Sequence, residues 1–267
     1  MKSQKIKLVY FSPTGTTKKV LDGIAKGINS EVSNVIDITK PAARDSEIPP
    51  FGDDLVLIGA PVYAGRLPSL AAESFRRMKA NKTPAVLVVL YGNREYEDAL
   101  LELKDIAVMS GFKPVACGAF IGEHSFSSDE IPLAQSRPNR ADMEKAEAFG
   151  KEIADKLNEI ESIDSMSDVH VSGNKPYREE MKFPAIEFIE VTDECDNCGI
   201  CAQVCPNSAI NKDNAHSMDT EKCIFCCACI KFCPIGARVL KDGMIKDIAK
   251  HLSQLCKQRK EPETFLG

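Results

Sequence analysis

The sequence predicts an α/β domain built on a parallel sheet, followed by a smaller domain organised around cysteines. Two observations lead to this prediction. Apolar strands and helical segments alternate five times before residue 161, and strands without a polar face are typical of a parallel sheet covered on both sides. Nine of the eleven cysteines of the 267-residue chain then fall between residues 195 and 233, eight of them in two regularly spaced runs.

Five short segments rich in Val, Ile and Leu read as buried strands. Their predicted ranges are Lys5–Phe11, Val32–Ile38, Asp54–Ala60, Ala85–Tyr91 and Val115–Ile121.

Helical segments lie between and after these strands. A helix with Val20, Leu21 and Ile24 on one face follows the first strand, and Leu70–Lys79 and Glu95–Ser110 are also predicted to be helical. Two loops are predicted, a proline-rich one over Pro41–Gly52 and a serine-rich one over Gly122–Arg137. The last helix of this part is amphipathic, with an apolar stripe from Met143 to Ile160.

Composition places the domain boundary after this helix. We predict an α/β domain over residues 1–161, a linker over 162–185, a cysteine-rich domain over 186–240, and a C-terminal helix and tail over 241–267. Within the last part, Met244–Leu255 is predicted to be helical.

The two cysteine runs share one spacing. C-D-N-C-G-I-C-A-Q-V-C-P and C-I-F-C-C-A-C-I-K-F-C-P both fit C-x2-C-x2-C-x3-C-P. Three thiolates two residues apart can surround one [4Fe–4S] cluster, and a fourth must come from elsewhere. Zinc is the alternative, but its four ligands leave the third regularly spaced cysteine and the following proline unexplained. Disulfides fit less well, because nothing indicates export.

Over roughly residues 186–240 the chain resembles bacterial ferredoxins that carry two [4Fe–4S] clusters. Pro206 and Pro234, and the tails P-N-S-A-I and P-I-G-A-R, add to the resemblance. It implies a small α+β 2[4Fe-4S] ferredoxin-like domain in which the last cysteine of each run binds the cluster of the other run. The implied ligands form a first cysteine set, Cys195, Cys198, Cys201 and Cys233, and a second cysteine set, Cys205, Cys223, Cys226 and Cys229.

A hydroxyl-rich loop, S-P-T-G-T-T, separates the first strand from its helix. Backbone N–H groups and the positive end of the helix dipole favour an anion there. The loop lacks the lysine of the nucleoside-triphosphate loop G-x-x-x-x-G-K-[ST]. A serine- and threonine-rich helix cap has the same composition, so the loop alone leaves that alternative open. The candidate phosphate contacts are Ser12, Thr14, Gly15, Thr16 and Thr17.

The loop resembles the FMN-phosphate loop of flavodoxins, [ST]-x-T-G-x-T. This resemblance implies a flavodoxin-like doubly wound five-stranded parallel sheet of order 2-1-3-4-5, with FMN at the carboxyl ends of strands 1, 3 and 4. Tyr63 and Tyr96 are candidates to stack on the flavin, although packing at the rim is the alternative for either. Backbone and amide contacts are expected from Pro61, Val62, Ala64, Gly65, Gly92 and Asn93.

Two arginines, Arg66 and Arg94, depart from the flavodoxin pattern, which surrounds the flavin with acidic or neutral groups. A cation beside the ring would stabilise a reduced, anionic flavin. The alternative is that both arginines are solvated at the surface.

The whole chain resembles the flavodoxin–ferredoxin fusion proteins of anaerobic prokaryotes. The resemblance implies an electron-transfer protein that passes electrons between two [4Fe-4S] clusters and FMN, and to or from redox partner proteins. One alternative is a ferredoxin-dependent flavin reductase that acts on a small substrate or on NAD(P)H, with the serine-rich loop as a lid. Another is a docking scaffold without flavin, in which only the clusters are active.

Charge and hydropathy narrow the range of partners. The net charge of −5 and the absence of a basic block make nucleic acid an unexpected partner. No apolar run is long enough for a membrane span, and no signal peptide is apparent, so we expect a cytoplasmic protein. Residues 186–240 hold eight acidic against four basic side chains, which favours docking of basic redox proteins. A homodimer with transfer between chains stays open.

Other reactive residues receive no role. Cys227 lies between two expected ligands and either packs in the core or replaces Cys226 in a rearranged cluster. We assign no chemistry to Cys117, Cys256, His124, His170, His216 or His251, and predict no catalytic residue.

Overall fold

A six-stranded sheet forms the centre of the structure, a computed structural model that describes residues 5–160, 162–181 and 184–267. The described strands are β1 (Ile6–Tyr10), β2 (Val32–Asp37), β3 (Leu55–Pro61), β4 (Thr83–Tyr91), β5 (Phe112–Ile121), β6 (Ile189–Val191), β7 (Arg238–Leu240) and β8 (Glu263–Leu266). The large sheet has the order β2-β1-β3-β4-β5-β8, and β1 to β5 run parallel. The predicted order 2-1-3-4-5 is confirmed.

Helices cover both faces of this sheet. The described α-helices are α1 (Thr16–Ile28), α2 (Pro41–Asp45), α3 (Ser69–Arg76), α4 (Ala99–Met109), α5 (Arg140–Glu159), α6 (Ile200–Val204), α7 (Ala228–Lys231) and α8 (Met244–Leu255), and Ile163–Ser165 form a 3₁₀ turn. Successive strand residues alternate between the faces: Leu8 packs with α1 and α5, and Val9 packs with α3 and α4. Strands β1, β3, β4 and β5 are therefore buried on both sides, whereas the edge strands β2 and β8 are largely exposed.

The cysteine-rich part folds as a small α+β unit. Strands β6 and β7 pair antiparallel, with Val191 opposite Arg238, and the short helices α6 and α7 each carry one cysteine of a run. Phe188, Ile210 and Phe225 are buried in the core of this unit.

The C-terminal tail returns to the α/β domain, which the sequence does not predict. Helix α8 has the predicted bounds, but the chain then adds β8 to the sheet, antiparallel to β5, with Ala119 opposite Glu263 and Ala116 opposite Leu266. A four-residue strand with two polar members has too little pattern to be recognised, because a distant strand supplies its pairing.

The predicted linker, as far as it is described, packs against α4. The Asp98 carboxylate accepts hydrogen bonds from the backbone N–H groups of Asn174 and Arg178, both at 2.7 Å. The Tyr177 hydroxyl donates to Asp105, and Val169 is buried in the core on the same side of the sheet. This segment is therefore part of the domain surface.

Two smaller differences have local causes. The proline-rich loop after β2 contains α2, whose first residue is Pro41, a position that tolerates the missing N–H. The helix predicted from Glu95 begins at Ala99, because Glu97 has a φ of 45°. Across the described residues, no helix is both long and apolar enough to cross a bilayer.

Close packing of α1 on α5 generates a stability prediction. A Cβ atom on Gly27 would lie 2.0 Å from the Glu147 carbonyl oxygen, which belongs to the backbone of α5. Gly27→Ala should therefore lower the free energy of unfolding by roughly 1–3 kcal/mol, because the two helices must move apart. Denaturant unfolding followed by far-ultraviolet circular dichroism measures this change.

Gly52→Ala is the matched control, because a Cβ atom there meets nothing within 4 Å. The control should change the free energy of unfolding by no more than about 0.5 kcal/mol. Equal unfolding midpoints for Gly27→Ala and the unmodified protein would contradict the prediction.

Candidate cofactor sites

A large pocket lies at the carboxyl edge of the parallel sheet. It contains about 1110 Å³ not filled by protein atoms, part of it open to solvent. The loops that follow β1, β3, β4 and β5 meet there, as expected at the edge where parallel strands end. From the predicted flavin site, the pocket is lined by Ser12, Thr14, Thr16, Thr17, Pro61, Val62, Tyr63, Ala64, Gly92 and Arg94.

The hydroxyl-rich loop turns into α1 at this pocket. Gly15 has a φ of 81°, so the left-handed turn before the helix favours glycine. Ser12 Oγ accepts a hydrogen bond from the Lys18 N–H at 3.2 Å, and the Thr14 and Thr16 hydroxyls lie 3.4 Å apart. Thr17 Oγ1 is buried and has no hydrogen-bond partner among the described residues. An unpaired buried hydroxyl at a helix N-terminus fits a site for an anionic group.

The loop after β3 forms a tight turn beside the second cysteine run. The Tyr63 N–H donates to the Arg66 carbonyl at 2.9 Å. The pKa of Tyr63 is raised well above its ordinary value, first by burial and then by the charges of Cys226, Cys227 and Cys223. Tyr63 therefore lies between the sheet edge and the cysteine-rich unit.

Tyr96 lies outside the pocket. Its side chain is buried, its hydroxyl donates to Glu263 of β8 at 2.8 Å, and its ring centroid is 5.5 Å from that of Tyr91. Burial and the carboxylate partner raise the pKa of this phenol. Tyr96 thus contacts the returning tail, and its side chain is not placed to stack on a flavin in the pocket.

Gly15, Gly65 and Asn93 do not line the pocket either. A Cβ atom on Gly65 would lie 1.7 Å from Glu97 Oε2, so this glycine allows the Glu97 side chain to pack close. The Asn93 amide donates to the carbonyl oxygens of Cys256 at 2.7 Å and Gln258 at 2.9 Å. Gly65 and Asn93 therefore contact segments of the chain outside the pocket lining.

The two arginines have different surroundings. Arg66 makes two 2.8 Å hydrogen bonds to the Glu102 carboxylate, so it faces α4 and not the pocket. Arg94 lines the pocket and pairs with Glu97 at 2.9 Å, and Arg178 from the linker pairs with the same carboxylate. Two guanidinium groups sharing one carboxylate leave a net positive charge on this wall.

Several pocket residues carry no recognisable motif in the sequence. They come from the loop after β5, the linker, the second cysteine run and α8: Glu123, His124, Ser125, Phe126, Arg178, Met181, Ile224, Phe225, Ile248 and Leu252. The length of the serine-rich loop is the one sequence signal that pointed to part of this group. The others are brought in by tertiary packing.

The two cysteine sets line two separate cavities. The first cysteine set surrounds a cavity with about 280 Å³ not filled by protein atoms, and the second cysteine set surrounds one with about 330 Å³. Cys227 also lines the second cavity, where its Sγ lies 3.7 Å from the Phe225 carbonyl oxygen. Among described residues, no group of three or more His, Cys, Asp or Glu side chains forms a site for a single metal ion.

The second cavity adjoins the large pocket. Ile224 lines both, and Phe225, one residue further along, lines the large pocket. Phe225 stacks on Phe188 with ring centroids 4.2 Å apart and an angle of 8°. The first cavity is nearer the surface, since Cys198 is exposed whereas Cys226 and Cys229 are buried.

His124 generates a prediction about acid stability. Burial, and to a smaller extent the charges of Arg94 and Lys231, lower its pKa from 6.5 to about 4. Between these pH values the unfolded chain binds the proton more readily than the folded protein, so stability falls as the pH decreases from 6.5 towards 4. When the pH falls from 7 to 5, the free energy of unfolding of the unmodified protein should therefore decrease. In His124→Gln this decrease should be smaller by up to about 2 kcal/mol.

Denaturant titrations at both pH values measure this difference, and His216→Gln, at an exposed position, serves as the control. Identical pH dependence in His124→Gln and the unmodified protein would show that the imidazole is not held neutral.

Comparison with known proteins identifies both halves. The flavodoxin domain family matches residues 7–126, and the 4Fe-4S dicluster domain family matches residues 187–234. Ferredoxin YfhL of Escherichia coli strain K12 is 36% identical over 59 residues, which are 20% of this chain and 69% of that protein. A flavodoxin of Klebsiella pneumoniae is 25% identical over 170 residues, which are 57% of this chain and 94% of that protein.

Among solved structures, a flavodoxin from Streptococcus pneumonia TIGR4 is similar over 57% of this chain and 99% of its own, with 19% identity and a TM-score of 0.39. Domains of these two families support an electron-transfer role. The chain thus contains a flavodoxin domain followed by a 4Fe-4S dicluster domain related to ferredoxins, an arrangement consistent with a flavodoxin–ferredoxin fusion.

Proposed function

We propose that this protein passes electrons between two [4Fe–4S] clusters and FMN within one chain, and exchanges them with separate redox proteins. One observation supports this above the others: the run that carries Cys223 and Cys226 forms part of the pocket at the carboxyl edge of the flavodoxin domain, through Ile224 and Phe225. A flavin in that pocket and a cluster in the second cavity would share this wall.

The pocket residues fit FMN. Ser12, Thr14, Thr16 and Thr17 would hold the phosphate, and the unpaired Thr17 Oγ1 supplies a donor that has no other use. Residues 61–64 and Gly92 would hold the ring. Bound FMN supplies a centre that takes one or two electrons, whereas each cluster takes one.

The cysteine cavities fit two cubane clusters, because each is lined by a cysteine set whose four members come from both runs. The second cysteine set lies next to the flavin pocket, and the first lies farther out, where Cys198 is exposed. In this order, electrons would pass from the flavin to the cluster of the second cysteine set, then to the cluster of the first cysteine set, and finally to a partner protein. The acidic excess of residues 186–240 favours a basic partner.

The net positive wall formed by Arg94, Arg178 and Glu97 supports the hypothesis of a stabilised anionic flavin. In this form the hypothesis rests on Arg94 and Arg178, since Arg66 is directed to Glu102.

A second candidate is reduction of a small substrate over the flavin. It is favoured by the extension of the pocket to the apolar side chains of Met181, Ile248 and Leu252. Reduced protein that is reoxidised only by other redox proteins would exclude it.

Cofactor analysis after anaerobic purification tests the first proposal. The protein should contain about eight irons and one FMN per chain. Cys233→Ser should lose about half of the iron, because Cys233 completes only the first cysteine set. Cys256→Ser, which changes a cysteine outside both sets, should keep all of it. Full iron content in Cys233→Ser, or equal losses in both variants, would contradict the ligand assignment.

Thr17→Val tests the flavin site. Valine keeps the shape of threonine and removes the unpaired hydroxyl, so the protein should fold normally and bind FMN roughly 10- to 100-fold more weakly, the effect of losing a hydrogen bond to a charged group. Titration of flavin-free protein with FMN gives the dissociation constants. Thr192→Val is the control, because Thr192 Oγ1 is also buried and unpaired within the described chain but does not line the pocket. Equal affinity in Thr17→Val and Thr192→Val would remove the phosphate assignment.

A further inference from the structure

The two halves of the dicluster domain differ at one equivalent position. Each run ends in Cys-Pro and continues to a buried residue five positions after its last cysteine: Ile210 in the first half and Arg238 in the second. Ile210 lines the cavity of the second cysteine set, and Arg238 lines the cavity of the first. At this equivalent position one cavity has an apolar side chain and the other a buried guanidinium. The second cavity is also lined by a cation, Lys222, but that side chain is exposed and pairs with Asp219 at 3.4 Å.

Arg238 is held by a hydrogen bond, but some of its N–H donors lack a partner among the described residues. Its side chain is 3% exposed, and Nη2 donates to the Ala215 carbonyl. Nε and Nη1 are buried and have no hydrogen-bond partner in the described part of the chain. Buried, unpaired N–H donors on a cation cost free energy, so their presence against a cysteine-lined cavity indicates a negatively charged group there.

We propose that Arg238 raises the reduction potential of the cluster in the first cysteine set above that of the cluster in the second. This inference rests on the proposed function, which supplies the two clusters. Reduction adds one electron, taken from the flavin or from a redox protein, and makes the cluster one unit more negative. A fixed cation with free N–H donors stabilises that added charge, and no proton moves, because arginine stays protonated.

The consequence is a direction for electron flow. An electron shared between the two clusters rests mainly on the first cysteine set, where Cys198 is exposed to a partner. The second cysteine set receives less of this stabilisation. The charge of Arg238 also reaches Cys229 and Cys223, but its guanidinium lines the first cavity and not the second, where the apolar Ile210 takes the equivalent place. Electrons from the flavin pocket therefore move outward through a less stable to a more stable site.

A redox titration monitored by electron paramagnetic resonance tests this role. The unmodified protein should show two separate reduction steps, and Cys233→Ser should remove the upper one. Arg238→Ile gives the second half the residue found at the equivalent position of the first half. It should lower the reduction potential of the upper step by about 59 mV or more, which corresponds to a tenfold lower reduced-to-oxidised ratio at a fixed potential. Arg238→Lys should lower it less, because lysine keeps the charge but not the planar donors.

Ile210→Val is the matched control and should leave both steps in place. Unchanged steps in Arg238→Ile with both clusters present would overturn the proposal, as would a shift of the lower step alone. Should Arg238→Ile fail to assemble both clusters, unchanged steps in Arg238→Lys would overturn it. Iron content distinguishes failure of the proposed function from failure of this inference. A first cysteine set without a cluster would reject both. About eight irons per chain with unchanged reduction steps would reject only the role of Arg238.

Discussion

The packing of the second cysteine run against the carboxyl edge of the parallel sheet is the contact on which the proposed electron transfer within one chain depends. Ile224 packs against the core of the flavodoxin domain, while Phe225 stacks on Phe188 in the core of the dicluster domain. Arg44 joins the two domains by donating to the Pro206 carbonyl at 2.7 Å. These contacts place the second cavity directly beside the pocket.

Several crossings of the chain hold the two domains in this arrangement. Lys231 donates to the Ser127 carbonyl at 2.6 Å and pairs with Glu123, so the loop after β5 is tied to α7. Helix α8 then passes over the pocket, and β8 extends the sheet. The serine-rich loop is therefore part of the interface between the domains, and α8 adds Ile248 and Leu252 to the wall of the pocket.

Local patterns were sufficient for the parts of the structure that depend on neighbouring residues. Apolar runs predicted β1 to β5, and the resemblance to bacterial ferredoxins implied the two cysteine sets, each of which lines one cavity, the second together with Cys227. Tyr96 shows the limit: a tyrosine after a strand suits a flavin or a core equally, and its partner Glu263 is 167 residues away. The same holds for Arg66, which is neutralised by Glu102, and for His124, whose burial comes from tertiary packing.

Electron transfer inside a single chain is the central claim, and its kinetic order tests it most directly. A substoichiometric pulse of electrons delivered to the flavin of the oxidised protein without oxygen should be followed by cluster reduction at a rate that does not change with protein concentration. This result is expected because Ile224 and Phe225 of the second cysteine run line the flavin pocket. A rate that rises in proportion to protein concentration would show transfer between molecules and contradict the claim.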